Sequence, residues 1–120
     1  MASILIADDD PDYLDAFSTG MQVFGHEITT AQNGESALKI LSEQRFDIVF
    51  LDIVMRGGGA ISLIHDIRGM LPSIPIVVIS GRVELFETPV FREGFRLADA
   101  RMKKSASLQQ LQSVVTRLLI

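Results

Sequence analysis

The sequence contains no cysteine, which excludes disulfides and thiolate metal sites. No apolar run approaches the roughly 20 residues needed to cross a bilayer as a helix. The first apolar run begins almost at Met1, leaving no space for a basic leader and an apolar export segment, so a cytoplasmic location is expected. Positive charge is in the minority: 11 Lys and Arg stand against 15 Asp and Glu, a formal net charge of -4, which argues against a chain that coats nucleic acid. The glycine run at 57–59 lacks the lysine and hydroxyl residue that would make it a Walker-type phosphate loop. His26 and His65 have no partners at metal-ligand or catalytic spacing and read as surface or half-buried residues.

With 120 residues and 48% apolar composition, the chain is long enough for one domain, residues 1–120, with a single core covered by helices on both faces. Three short runs of branched residues each end in an oxygen-bearing side chain. These are Ile4-Leu5-Ile6-Ala7 into Asp8-Asp9, Ile48-Val49-Phe50-Leu51 into Asp52, and Ile76-Val77-Val78-Ile79 into Ser80. Continuous branched runs of this length read as strands of a parallel sheet buried on both faces, and their polar ends gather at the carboxyl edge, where open α/β sheets hold their sites.

Between these runs the pattern is helical. Asp10-Pro11 gives an N-cap and a first-turn proline, followed by Leu14, Phe17, Met21 and Phe24 at helical spacing and a stop at Gly25. Residues 27–31 read as a second strand, and Asn33-Gly34 turns into a helix with Ala37, Leu38 and Leu41 on one face. Gly57-Gly58-Gly59 reads as a loop before a helix on Ile61, Ile64, Ile67 and Leu71. From Gly81 to Phe95 a helix is compatible with Pro89 only if the proline lies in its first turn. A short fifth strand over Ala100–Lys103 precedes a closing helix on Leu108, Leu111, Val115 and Leu118, capped by Ser107. Strand and helix alternate through five cycles, the pattern of an α/β, doubly wound, five-stranded parallel sheet.

Asp8 and Asp9 at one strand end, with Asp52 on the expected neighbour, repel one another unless a cation lies among them. Magnesium suits them, because it takes a few carboxylate oxygens together with a carbonyl, waters and phosphate. Asp10 reads instead as the cap of the first helix. If the Asp52 carboxylate attacks phosphorus, the charge that builds on the equatorial oxygens calls for donors opposite the metal, and Ser80 and Lys104 follow the fourth and fifth strands.

The ordered set Ile4–Pro11, Asp47–Met55, Pro75–Gly81 and Ala98-Asp99 through Lys104 resembles the receiver domain of two-component response regulators over essentially the whole chain. The resemblance implies flavodoxin-like strand order 2-1-3-4-5. It implies that Asp52 is a phosphoacceptor served by a sensor histidine kinase or phosphotransfer protein. It further implies Mg2+ held by Asp8, Asp9, Asp52 and the Val54 backbone carbonyl, with Ser80 and Lys104 binding the phosphoryl oxygens. Output would come from a phosphorylation-dependent change on the face formed by the fourth helix, fifth strand and fifth helix. Val54 and Arg82 would flank the path of the attacking water.

The chain departs from that family at several positions. Arg56, Gly57, Gly58, Gly59 and Ala60 stand where most members have a proline, a glycine and an Asp-Gly pair, a loss expected to loosen this loop. Arg101 stands where a tyrosine or phenylalanine usually turns inward, and an arginine fills an apolar slot only at high cost. Ser105 follows Lys104 where proline is usual; a cis bond before a non-proline costs about 3 kcal/mol, so a trans bond is expected. More than half of the 11 basic residues fall between Arg82 and Lys104, which fits either an acidic downstream partner or a solvated face with intrahelical ion pairs.

Two other functions compete with a phosphorylated switch. A degenerate receiver would bind partners without phosphorylation, as Arg56, the glycine run and Arg101 suggest. A haloacid-dehalogenase-like phosphohydrolase would use Asp8-x-Asp10 and Ser80, but it needs a further acidic strand end, and no aspartate or glutamate follows Lys104.

Overall fold

A computed structural model describes residues 1–55 and 58–120. Five strands, β1 (Ser3–Ala7), β2 (Glu27–Ala31), β3 (Ile48–Asp52), β4 (Ile76–Ser80) and β5 (Ala100–Lys103), form one sheet in the order β2-β1-β3-β4-β5, and every pair within it is parallel. Five α-helices alternate with them: α1 (Pro11–Val23), α2 (Gly34–Glu43), α3 (Ala60–Met70), α4 (Pro89–Gly94) and α5 (Leu108–Leu118). The doubly wound α/β sheet expected from the alternation is the one observed.

Side-chain alternation along the strands divides the interior into two layers. Ile4, Ile6, Ile48, Phe50, Val77 and Ile79 face Leu14, Phe17 and Met21 of α1 and Leu111, Val114 and Val115 of α5. Leu5, Ala7, Val49, Leu51, Ile76 and Val78 face α2, α3 and the aromatic Phe86 and Phe95 around α4. Strands β3 and β4 are buried along their whole length, as continuous branched runs require.

The caps follow local chemistry. Asp10 accepts the Asp12 N–H at 3.0 Å ahead of Pro11, and Asn33 accepts the Ser36 N–H at 2.8 Å. Gly25 closes α1 at φ 89°, a conformation that excludes most side chains. Ser107 and Gln110 form a reciprocal capping box at the start of α5. Thr88 caps α4 and Pro89 occupies its first turn, so the proline starts this helix rather than breaking it. A 3-10 turn over Val83–Glu87 precedes it.

Four details correct the sequence reading. Gly58–Gly59 pairs antiparallel with Val54–Met55, so this part of the expected loop is a short ladder; Arg56 and Gly57 lie outside the described residues. On α3 the buried side chains are Ala60, Leu63, Ile64 and Ile67, while Ile61 is only half-buried and Leu71 lies just past the helix. On α5, Val114 is buried and Leu108 sits at the exposed rim, its side chain filling the space over Gly20 of α1. His26 is buried rather than superficial: its Nδ1 accepts the Ala2 N–H at 2.9 Å, and its Nε2 lies 2.6 Å from Gln112 Oε1. The Nδ1 contact requires an acceptor, so the hydrogen sits on Nε2 and is donated to Gln112. His65 is exposed, with Nδ1 2.9 Å from the Ile61 carbonyl.

Candidate functional site

Strand register places the polar ends side by side. Ala7 pairs with Leu51, Asp52 with Ile79 and Ser80 with Lys103, and the Lys104 N–H continues the ladder to the Ser80 carbonyl at 2.9 Å. Asp8, Asp52, Ser80 and Lys104 therefore stand at successive strand ends along the carboxyl edge of β1, β3, β4 and β5. Asp9 follows Asp8 on the same edge.

One carboxylate oxygen each from Asp8, Asp9 and Asp52 lie within 4.8 Å of one another. Asp8 and Asp52 are buried, and Asp9 is half-buried. Asp8 Oδ1 accepts the Asp10 N–H at 3.0 Å, and Asp52 Oδ1 accepts the Val54 N–H at 3.2 Å. Lys104 Nζ reaches Asp8 Oδ2 at 2.7 Å and Asp52 Oδ2 at 3.3 Å. A hard divalent cation fits this donor set: converging carboxylate oxygens, two of them from buried residues and more negative charge than one ammonium offsets.

Burial pushes the Asp52 carboxyl up to about 6; the Asp8 charge adds to this, while the Val54 N–H and the Lys104 ammonium oppose it. Burial works against the Lys104 ammonium, but the hydrogen bond to Asp8 and the two carboxylate charges outweigh it and raise Lys104 above the ordinary lysine value. The Ser80 hydroxyl oxygen is buried and accepts the Arg82 N–H at 2.8 Å, which leaves its own proton to donate.

Tyr13, which carries no signal of function in the sequence beyond its place in the first turn of α1, also borders this cluster. Lys104 Nζ lies 4.9 Å from the centre of its ring, within cation–π range. Burial, and then the Asp8 and Asp52 charges, push its phenol up to about 12. Nearby, the Arg82 side chain is exposed and pairs with Glu84 at 3.1 Å, and Val54 is half exposed.

Over residues 4–115 the sequence matches the response regulator receiver domain family. The chain belongs to that family. It is 30% identical to the response regulator TrrA from Thermotoga maritima, crystallised in complex with Mg2+-BeF, with a TM-score of 0.86 over 99% of this chain and 100% of that one. A CheY-like receiver domain protein from Methanospirillum hungatei superposes at a TM-score of 0.91 over 99% of this chain and 94% of that one; at 20% identity this is a likeness of fold. The transcriptional regulatory protein PrrA of Mycobacterium tuberculosis is 35% identical over 79 residues, 66% of this chain and 34% of the relative, so the match spans about a third of that longer protein. A receiver is a phosphoacceptor signalling module of two-component systems rather than an enzyme with an outside substrate, which removes the phosphohydrolase alternative.

At the positions where this receiver departs from its family, Arg101 is exposed, as expected of a charged side chain that replaces an inward aromatic. The Lys104–Ser105 peptide bond is trans. The basic stretch is partly neutralised by surface pairs, Arg92 with Glu87 at 3.0 Å and Arg96 with Glu93 at 3.6 Å, whereas Arg101 and Lys103 have no acidic partner among the described residues. Among those residues, no helix is long and apolar enough to cross a membrane.

Proposed function

We propose that residues 1–120 form a receiver in which Asp52 accepts a phosphoryl group from the phosphohistidine of a sensor histidine kinase or phosphotransfer protein. The Asp52 carboxylate oxygen forms a bond to phosphorus as the nitrogen–phosphorus bond breaks, and the departing imidazole nitrogen keeps the electron pair and takes up a proton. Lys104 and the Ser80 hydroxyl meet the phosphoryl oxygens as charge develops on them. Asp8, Asp9, Asp52 and the Val54 carbonyl would hold Mg2+, which when bound neutralises charge on the transferring group. The observation that carries this reading is Lys104 reaching both Asp8 and Asp52 beside a cluster of three carboxylates.

Arrival of the phosphoryl group draws Lys104 and Ser80 toward Asp52, and the change passes to the face made by α4, β5 and α5. Exposed Arg101 and Lys103 on that face suit an acidic protein partner, with no direct contact to nucleic acid or membrane. The working compartment is the cytoplasm. Intact-mass measurement after incubation with Mg2+ and a small phosphodonor tests the reading: the native chain gains one phosphoryl group, and Asp52→Ala gains none. A second reading, a degenerate receiver that binds without phosphorylation, rests on Arg101 in place of the inward aromatic; it requires that the native chain gain no mass.

A further inference from the structure

One group bordering the carboxylate cluster has no counterpart in the mechanism. Tyr13 projects from the first turn of α1, and its hydroxyl is buried without a hydrogen-bond partner among the described residues. A buried, unmatched O–H is costly and calls for a reason. Its ring is anchored from behind by Phe17, at 6.2 Å between centroids, which in turn packs edge-on against Phe50 of β3 at 5.0 Å. In front of it lies the Lys104 ammonium, 4.9 Å from the ring centre. The hydroxyl stands close enough to Asp8 and Asp52 to feel both charges, yet it donates to neither. A donor in that position is matched by an anionic oxygen that arrives later.

We propose that Tyr13 is a positioning residue of the phosphorylation site, its ring face seating the Lys104 ammonium and its hydroxyl donating to the anion that occupies the site beside Asp52. This rests on the reading of Asp52 as phosphoacceptor. Beryllofluoride serves as the probe, with Mg2+ present. Tyr13 is the only tyrosine in a chain without tryptophan, so intrinsic fluorescence reports on this residue alone.

Beryllofluoride is expected to change the tyrosine emission of the native protein saturably. By calorimetry, Tyr13→Phe, which keeps the ring, should weaken beryllofluoride binding about tenfold, with Mg2+ affinity unchanged. Tyr13→Leu, which also loses the seat for Lys104, should weaken it about thirtyfold or more. Beryllofluoride binding that leaves the emission untouched, or a Tyr13→Phe variant within twofold of native, overturns the proposal. So does an equal loss of Mg2+ and beryllofluoride affinity in Tyr13→Phe, since that reflects general loosening of the site. A native protein that binds no beryllofluoride overturns the phosphoacceptor reading and this inference together. If Tyr13→Leu fails to fold, Tyr13→Phe and the fluorescence measurement still decide.

Discussion

Lys104 makes its shorter ion pair with Asp8, 2.7 Å against 3.3 Å to Asp52, so the ammonium leans toward the end of β1 rather than that of β3. Asp8 is completely buried and depends on that partner. Lys104→Met should therefore lower stability by about 2–4 kcal/mol without metal, because it strands a buried carboxylate. Mg2+ should restore more stability to the variant than it adds to the native protein. Urea unfolding with and without Mg2+ measures both effects.

Asp52 should make stability fall as pH rises. Its carboxyl is held at about 6 against an ordinary 3.8, so the folded protein binds the proton more tightly than the unfolded chain does. The resulting stabilisation is fully present below about 3.8 and is lost as pH rises through about 6. Asp52→Asn removes the cost of the buried charge. It should be more stable than native by about 3 kcal/mol at pH 7.5, with the difference cut to about 1 kcal/mol at pH 4.5, as denaturant midpoints at the two pH values would show.

Arg68 is a structural clamp at the opposite edge. Its guanidinium donates to the Leu97 carbonyl at 2.9 Å and to Asp99 Oδ2 at 2.7 Å, and it also reaches the Pro72 and Ile74 carbonyls. Asp99 Oδ2 in turn accepts the Ile76 N–H at 2.8 Å, so one side chain ties the end of α3 to the entries of β4 and β5. Arg68→Ala should cost about 2–3 kcal/mol and Arg68→Lys most of that, because an ammonium cannot reproduce the fork. Neither should prevent phosphorylation of Asp52, which intact-mass measurement can check.

The strand ends were legible because a continuous branched run stopping in aspartate or serine fixes both the element and the edge where its side chain emerges. Asp8, Asp52, Ser80 and Lys104 could thus be brought together from order alone. Tyr13, Arg68 and His26 could not. Each works through a contact distant in sequence, Tyr13 with Lys104, Arg68 with Asp99 and His26 with Gln112, and nothing in the local pattern distinguishes them from ordinary helix or loop residues. The glycines at 58 and 59 misled for a related reason: their pairing with Val54–Met55 is set by chain reversal rather than by side chains.

The buried histidine offers a direct check on that difference. His26→Leu keeps apolar bulk but leaves the Ala2 N–H and the Gln112 amide oxygen without their partner. It should destabilise by about 1–2 kcal/mol in thermal or urea unfolding, whereas Gln112→Ala alone, which removes a half-exposed partner, should cost less.

The same imidazole bridges the start of β1 to the last helix, and all five strands run from that rim toward the acidic one. Both termini of this polypeptide consequently lie on the far side of the sheet from the chemistry. A fluorophore or fusion joined at Met1 or Ile120 leaves the approach of a phosphodonor clear.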